Sequence, residues 1–221
     1  MGFRMIYDAL TKSKLLQKTY RDMGEMNREC KSIFEKSFDC LVQNKDKEAL
    51  ELSNEDKKIN KHEVDIRNGI MGYLAVNTAP DLNAALTLTS VVIDLERIGD
   101  YCKIIAQLGL LYPAKLEDND YMDIINSMKN TIVEQFDLTH TAFEESDVEK
   151  AKKVIDSYSG IKALHNALVQ KLNKEKNIEI NRAVVYASLP IYLRRISAHL
   201  KNICTSVVRP FPEIGFEKKD F

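Results

Sequence analysis

Apolar residues recur every three or four positions along most of the chain, which is the spacing of one face of an α-helix. The first helix is predicted from about Lys12 to Leu41, and its apolar stripe comprises Leu16, Tyr20, Met23, Met26, Cys30, Ile33, Phe34, Phe38 and Leu41. The second is predicted from about Lys47 to Asn77, with Leu52, Ile59, Ile66, Ile70 and Leu74 as its stripe. Both stripes are continuous enough to face a core.

A turn at residues 78–81 separates the second helix from a third, and Pro80 is expected at or near the first turn of that third helix. The third helix is predicted to end near Leu111, just before Tyr112 and Pro113. Its seam alternates three- and four-residue steps through Ala85, Leu88, Val92, Leu95, Gly99, Cys102 and Ala106. This spacing indicates a helix that packs lengthwise in a bundle.

The second half repeats this plan, with helices predicted at about residues 119–145, 148–174 and 180–208. Residues 94–105 align with residues 192–203, with leucine, arginine, isoleucine, lysine and a final isoleucine coinciding. We therefore predict an all-α fold built as a tandem repeat of two three-helix bundles, spanning residues 1–113 and 114–208. Pro190 should kink the sixth helix or delay its start, and residues 209–221 should form an extended tail.

Composition narrows the class of protein. The 221 residues are 44% hydrophobic, and the 32 basic and 33 acidic side chains are mixed along the chain, so neither a nucleic-acid groove nor a polybasic membrane anchor is indicated. No apolar run is long enough to span a bilayer, and the first residues do not resemble a signal peptide. The four cysteines, Cys30, Cys40, Cys102 and Cys204, lack a CxxC pair and favour a reducing cytoplasm.

Several acidic and amide side chains lie at the border of the predicted core. At 100° per residue Glu96 and Asp100 fall side by side on the third helix, next to its apolar seam. Asp56, Asn60 and Glu63 share one face of the second helix beside the Ile59 stripe. Crowded carboxylates near a core of low dielectric constant need compensating charge, and a hard cation would provide it.

One other interpretation stays open for these residues, and catalysis is a further alternative. Acidic residues four apart are common on solvated helix faces, and basic neighbours such as Lys57, Arg97 and Lys103 lie close enough in sequence to neutralise them. Catalysis is not favoured, because the four histidines are scattered and a helical di-iron site would need Glu-x-x-His pairs, which the chain lacks. Phosphate-binding loops and nucleophile motifs are also missing from the sequence. We therefore expect a protein that is not an enzyme.

Three segments, residues 56–63, 79–82 and 94–100, resemble in order and spacing the PhoU family of phosphate-signalling proteins. The resemblance extends in helix layout from about Leu15 to Val208 and implies two three-helix bundles, a homodimer and metal bound by acidic pairs spaced four apart. Carried over by position, the metal ligands would be Asp56, Asn60, Glu96 and Asp100, with Glu63 added by geometry. The ion would be divalent or trivalent: iron, zinc, manganese or magnesium.

The second half departs from the family pattern. Its positions for Glu-x-x-x-Asp hold Arg194 and Ala198, and the pair on the fifth helix corresponds to Tyr158 and Lys162. Positive charge now stands where a cation would bind, so we expect this second metal site to be lost.

The resemblance implies a cytoplasmic regulator of phosphate uptake and signalling. It would act at the membrane through protein contacts with a phosphate ABC transporter and its sensor histidine kinase. Two alternatives are a soluble accessory domain of a sodium/phosphate-type permease and a metal-free helical adaptor.

Overall fold

Six long helices account for most of the molecule. The computed structural model describes residues 13–216, except for the side chains of residues 53, 54 and 56. The helices are α1 (Lys14–Gln43), α2 (Asp46–Val76), α3 (Leu82–Gly109), α4 (Asp120–Glu145), α5 (Val148–Leu172) and α6 (Ile180–Val208). Residues 13–216 contain no β-strand. The predicted all-α fold with six helices is confirmed.

Side-chain caps set several of the helix boundaries. Ser13, Asp81, Asn119 and Asp147 each accept a hydrogen bond from a backbone N–H in the first turn of the following helix. Because Asp81 occupies the cap of α3, Pro80 directly precedes the helix and lies near its first turn, not inside it. Pro190 lies inside α6, which nevertheless begins at Ile180, so the proline does not delay the helix.

The helices pack as two bundles that share a broad seam. Helices α1, α2 and α3 contact one another, and so do α4, α5 and α6. The bundles meet where α1 packs on α4 and α3 packs on α6. Helices α1 and α4 therefore lie on one face of the molecule and α3 and α6 on the other, with α2 and α5 packed on their flanks.

The predicted stripes form the core. Every residue of the α3 seam is buried, as are all stripe residues of α1 and α2 except Tyr20 and Leu74, which are partly buried. The two faces of the molecule differ outside this core. Along their described length α1 and α4 expose no large apolar side chain, whereas α3 and α6 expose Leu82, Leu86, Ile93, Ile180, Val184 and Ile191. The three exposed residues of α3 and the three of α6 occupy equivalent positions of the repeat, 98 residues apart.

The contact between α3 and α6 shows the repeat directly. Asp94 Oδ1 lies 2.7 Å from His199 Nδ1, and the rings of Tyr101 and Tyr192 are 6.2 Å apart. In the alignment of the halves, Asp94 corresponds to Tyr192 and Tyr101 to His199. The two contacts therefore join equivalent positions of the repeat. A local pseudo-twofold axis between the antiparallel helices relates one contact to the other.

The segment between the bundles is tied to both of them. Tyr112 and Leu116 are buried, and the Leu116 N–H donates to Val42 O on α1 at 3.0 Å. Arg182 Nε on α6 donates to Tyr112 Oη at 3.0 Å. Residues 113–115 between these anchors are exposed.

The described part of the C-terminal tail folds back along α6. Phe211–Glu213 form a short 3₁₀ turn, so this part of the predicted extended tail is not extended throughout. Gly215 N–H then donates to Thr205 Oγ1 at 2.8 Å, with Gly215 at φ 85°, a conformation that glycine adopts without strain. The prediction for residues 217–221 lies outside the described residues.

Candidate functional site

Four of the five predicted metal ligands have described side chains and lie on α2 and α3 beside the contact between these helices, which we call the first groove. The two helices approach closely at its base, where a Cβ on Gly99 would lie 3.0 Å from Ile59 Cγ2. Glu63 on α2 and Glu96 on α3 are largely buried, with side chains 14% and 15% exposed. The Asp100 side chain is 34% exposed, and Asn60 is exposed. The packing therefore places acidic groups at the edge of the core, as expected.

Arginines compensate these carboxylates. Arg67 Nη2 lies 2.7 Å from Glu63 Oε1, one helical turn away on α2. On α3, Arg97 reaches Glu96 Oε2 at 3.3 Å and donates to Asp100 Oδ2 at 2.9 Å. These ion pairs correspond to the interpretation of locally neutralised charges. A metal ion entering the groove would have to take oxygen atoms from both arginines.

The side chain of Asp56, a predicted ligand, lies outside the described residues. Among the side chains that are described, no three histidine, cysteine, aspartate or glutamate groups are gathered closely enough to hold a metal ion. The donor types nevertheless fit a hard cation, which prefers oxygen ligands. Carboxylate oxygens are offered by Glu63, Glu96 and Asp100, and an amide oxygen by Asn60.

A further acidic group near the first groove was missed from the sequence. Glu29 on α1 has a buried Oε2 atom that makes no hydrogen bond and lies 3.3 Å from His62 Nε2 on α2. Burial raises the pKa of the neighbouring Cys30 thiol, and the charges of Glu29 and Glu96 raise it further. The carboxylates of α1 and α3 therefore act on the same point of the core. Glu29 adjoins the buried stripe in sequence, and this was the available signal.

The equivalent groove between α5 and α6, the second groove, has the opposite charge. Lys162 Nζ lies 5.1 Å and Lys201 Nζ 5.2 Å from the ring centre of Tyr158. Lys201 is only 8% exposed and also donates to Gly215 O at 3.3 Å. Two ammonium groups thus approach one aromatic ring, a favourable arrangement because the ring face is electronegative.

Arg194 occupies the position equivalent to Glu96 and is half-buried. Its Nε atom is buried and has no hydrogen-bond partner. The next residue, Arg195, is exposed. Ala198, at the position equivalent to Asp100, offers no ligand atom.

The cysteines behave as expected of small apolar residues. None of the four forms a disulfide, and all are buried. Burial raises the pKa of the Cys204 thiol to about 12, although a hydrogen bond with Thr139 opposes the shift. Across residues 13–216 no helix has the length and apolar character needed to cross a membrane.

Comparisons with known proteins agree on one family. The model of the PhoU domain matches the chain twice, over residues 23–109 and 125–207. A phosphate-specific transport system accessory protein PhoU homolog from Clostridium acetobutylicum is 26% identical over 188 residues, which cover 77% of this chain and 82% of that protein. The Aquifex aeolicus homolog of the same name is 27% identical, and the match covers 72% of each chain.

Solved structures show the same fold. PhoU from Pseudomonas aeruginosa superposes with a TM-score of 0.81 at 20% identity, covering 88% of this chain and 95% of that one. The phosphate transport system regulatory protein PhoU from Streptococcus pneumoniae gives a TM-score of 0.79 at 20% identity, covering 87% and 92%.

The molecule is a tandem three-helix-bundle protein whose two equivalent grooves carry opposite charge. Because the two domain matches fall one in each bundle and together span most of the chain, the chain belongs to the PhoU family.

Proposed function

We propose that this protein is an accessory regulator of phosphate transport and signalling that acts by binding other proteins. The observation that carries the proposal is the double PhoU-domain match, supported by relatives named as accessory proteins of the phosphate-specific transport system. The partners proposed are the phosphate ABC transporter and its sensor histidine kinase, and the site of action is the cytoplasmic side of the membrane. Turnover of a substrate is not part of this role.

Affinity capture from membranes tests the role directly. The tagged full chain is incubated with membranes prepared from cells grown in high and in low phosphate, and bound proteins are identified by mass spectrometry. We expect subunits of the phosphate ABC transporter or the sensor kinase to be enriched, with an amount that changes with phosphate supply. Enrichment of a sodium/phosphate-type permease instead would support the alternative of a permease accessory domain. Retention of neither would contradict the proposed role.

Metal binding is proposed at the first groove. Support comes from the partly buried carboxylates of Glu63 and Glu96 on facing helices, with Asp100, Asn60 and Asp56 completing the donor set by position. An ion bound there would neutralise the crowded carboxylates and link α2 to α3. The arginine ion pairs predict competition, so the metal content should depend on the ion supplied. The candidates are iron, zinc, manganese and magnesium, and elemental analysis after loading with each distinguishes them.

A homodimer is proposed as the assembly. The exposed apolar side chains of α3 and α6 support it, because apolar surface that a single chain exposes can be buried in a contact between proteins. Sedimentation velocity over a range of concentrations tests the proposal, with Leu86→Glu as the variant and Arg21→Glu on the opposite face as its control. A wild-type chain that stays monomeric at every concentration would contradict it.

A further inference from the structure

The second groove carries basic side chains at two of the positions where the first groove carries proposed metal ligands. In the first groove α3 presents Glu96 and Asp100, whereas α6 presents Arg194 and Ala198. On the flanking helices, Ile59 and Ile161 are both fully buried, and aligning them places Lys162 at the position of Asn60. The same framework that carries carboxylates in one bundle therefore carries guanidinium and ammonium groups in the other.

Three side chains of α6 face α5 along one stripe. Arg194, Ser197 and Lys201 are spaced three and four residues apart and so share a helix face. Lys201 lies over the Tyr158 ring on α5, which fixes the direction of that face. Since α5 and α6 are consecutive antiparallel helices and Lys201 lies over Tyr158, Arg194 lies about two turns nearer their connection, about one turn beyond Lys162.

Two donors on this stripe lack an acceptor. Arg194 Nε and Ser197 Oγ are buried and make no hydrogen bond, and Ser197 is fully buried. A buried donor without a partner is costly, and the cost is greatest for a charged group. Arg194 and Ser197 therefore mark a part of the α5–α6 contact in which hydrogen-bond donors are not matched by acceptors.

We propose that the second groove binds a small tetrahedral oxyanion of the phosphate or sulfate class. The half-buried Arg194 guanidinium is the principal donor, and the ammonium groups of Lys162 and Lys201 supply the surrounding positive charge. Planar guanidinium groups match the oxygen geometry of such anions, and the resulting hydrogen bonds are strengthened by charge. A small ion is required because the groove is closed at its base by Ser197 and Ile161, both fully buried.

The neighbouring arginine provides a matched control. Arg195 follows Arg194 directly but is exposed, at the position equivalent to Arg97. A general attraction of anions to a basic surface would depend on both arginines, because both lie within a Debye length of the groove. A defined site depends mainly on Arg194.

The test is isothermal titration of the full chain, freed of metal with a chelator and then dialysed. Sodium phosphate and sodium sulfate are titrated at constant ionic strength, with sodium chloride as the blank. We expect saturable binding of one phosphate or sulfate ion per chain and no saturable binding of chloride. Arg194→Gln should weaken binding about tenfold or more, and Arg195→Gln less than about twofold. Lys162→Gln gives a second, independent reduction if Arg194→Gln proves unstable, and circular dichroism confirms that each variant is folded.

Three results would overturn the proposal. The first is the absence of saturable phosphate or sulfate binding by the wild-type chain. The second is an equal loss of affinity in Arg194→Gln and Arg195→Gln, which indicates diffuse attraction to the surface. The third is binding that requires added metal and disappears in the Glu96→Ala, Asp100→Ala double variant, which assigns the anion to a metal ion in the first groove. Since the protein is metal-free in the main experiment, failure of the metal proposal leaves this one testable.

Discussion

The two bundles share one framework but present opposite chemistry. Leu95 of α3 and Leu193 of α6 are equivalent and both are buried, whereas the residues directly after them are Glu96 and Arg194. Core positions have kept their character because close packing tolerates little change. Groove positions lie at the border of the core, where a change of charge alters what can bind without disturbing the fold.

The largest effect is expected on metal content. The double variant Glu96→Ala, Asp100→Ala should lose all specifically bound metal, measured by elemental analysis, because it removes both α3 ligands. Its fold should persist, since two crowded carboxylates are removed and the α3 seam remains. In the converse variant Arg194→Glu, Ala198→Asp, Lys162 still faces the second groove, and no metal should be gained. Unchanged stoichiometry in the first variant would place the metal elsewhere, and full metal binding by the second would show that the second groove never lost its capacity.

The next effect tests the shared framework. Leu95→Ala and Leu193→Ala should each lower the free energy of unfolding by about 2 to 5 kcal/mol, because each removes a buried side chain and leaves a cavity. Chemical denaturation provides the measurement, with Leu82→Ala, an exposed leucine on α3, as the control. A cost confined to one bundle would show that the cores are not equivalent.

The contact between α3 and α6 contains two pairs at equivalent positions with different chemistry, and their coupling energies can be compared. A double-mutant cycle on Asp94 and His199 should give a coupling energy of about 1.5 to 3 kcal/mol, as for hydrogen bonds to a charged group. The equivalent cycle on Tyr101 and Tyr192 should give about 0.5 to 1.5 kcal/mol, the range for aromatic pairs. Equal couplings would mean that the polar pair has no special role.

The smallest effect concerns Arg194 itself. In buffer without phosphate or sulfate, Arg194→Ala should change the free energy of unfolding by less than about 1 kcal/mol, toward higher stability, because it removes a buried donor that has no acceptor. Denaturation curves of this variant and of Arg195→Ala provide the comparison. A loss of more than about 1 kcal/mol in Arg194→Ala alone would show that Arg194 is already paired within the protein. That result is expected if Arg194 forms an ion pair at the position where the first groove is proposed to bind a metal ion.

Much of the fold follows from periodicity. The apolar spacing predicted six helices and most of the buried stripes, since a helix that must bury one face has few ways to arrange it. Pro80 was expected at or near the first turn of α3 and lies just before the cap, because Asp81 caps the helix through a hydrogen bond that helix periodicity does not reveal.

The site was less accessible from sequence. The positions of Glu96 and Asp100 follow from their helix, and Arg97 was among the basic neighbours expected to neutralise them, but its pairing with both carboxylates depends on its rotamer. The approach of Glu29 to His62 joins two helices and requires the packed structure. The unpaired Arg194 Nε is similarly a property of packing, because the sequence shows a basic residue but not which of its atoms is buried.

The anchored segment between the bundles has a consequence for how the protein resists cleavage. Lys115 is exposed, so trypsin has a target there, but the next residue donates its N–H to Val42 O and is buried. A protease needs several residues of chain released into its cleft, and this segment can release them only by giving up contacts with both bundles. Cleavage at residues 113–115 should therefore be slow, and a nicked chain should stay together through the α1–α4 and α3–α6 contacts. The two bundles should therefore separate only when the chain unfolds, and not when the segment between them is cut.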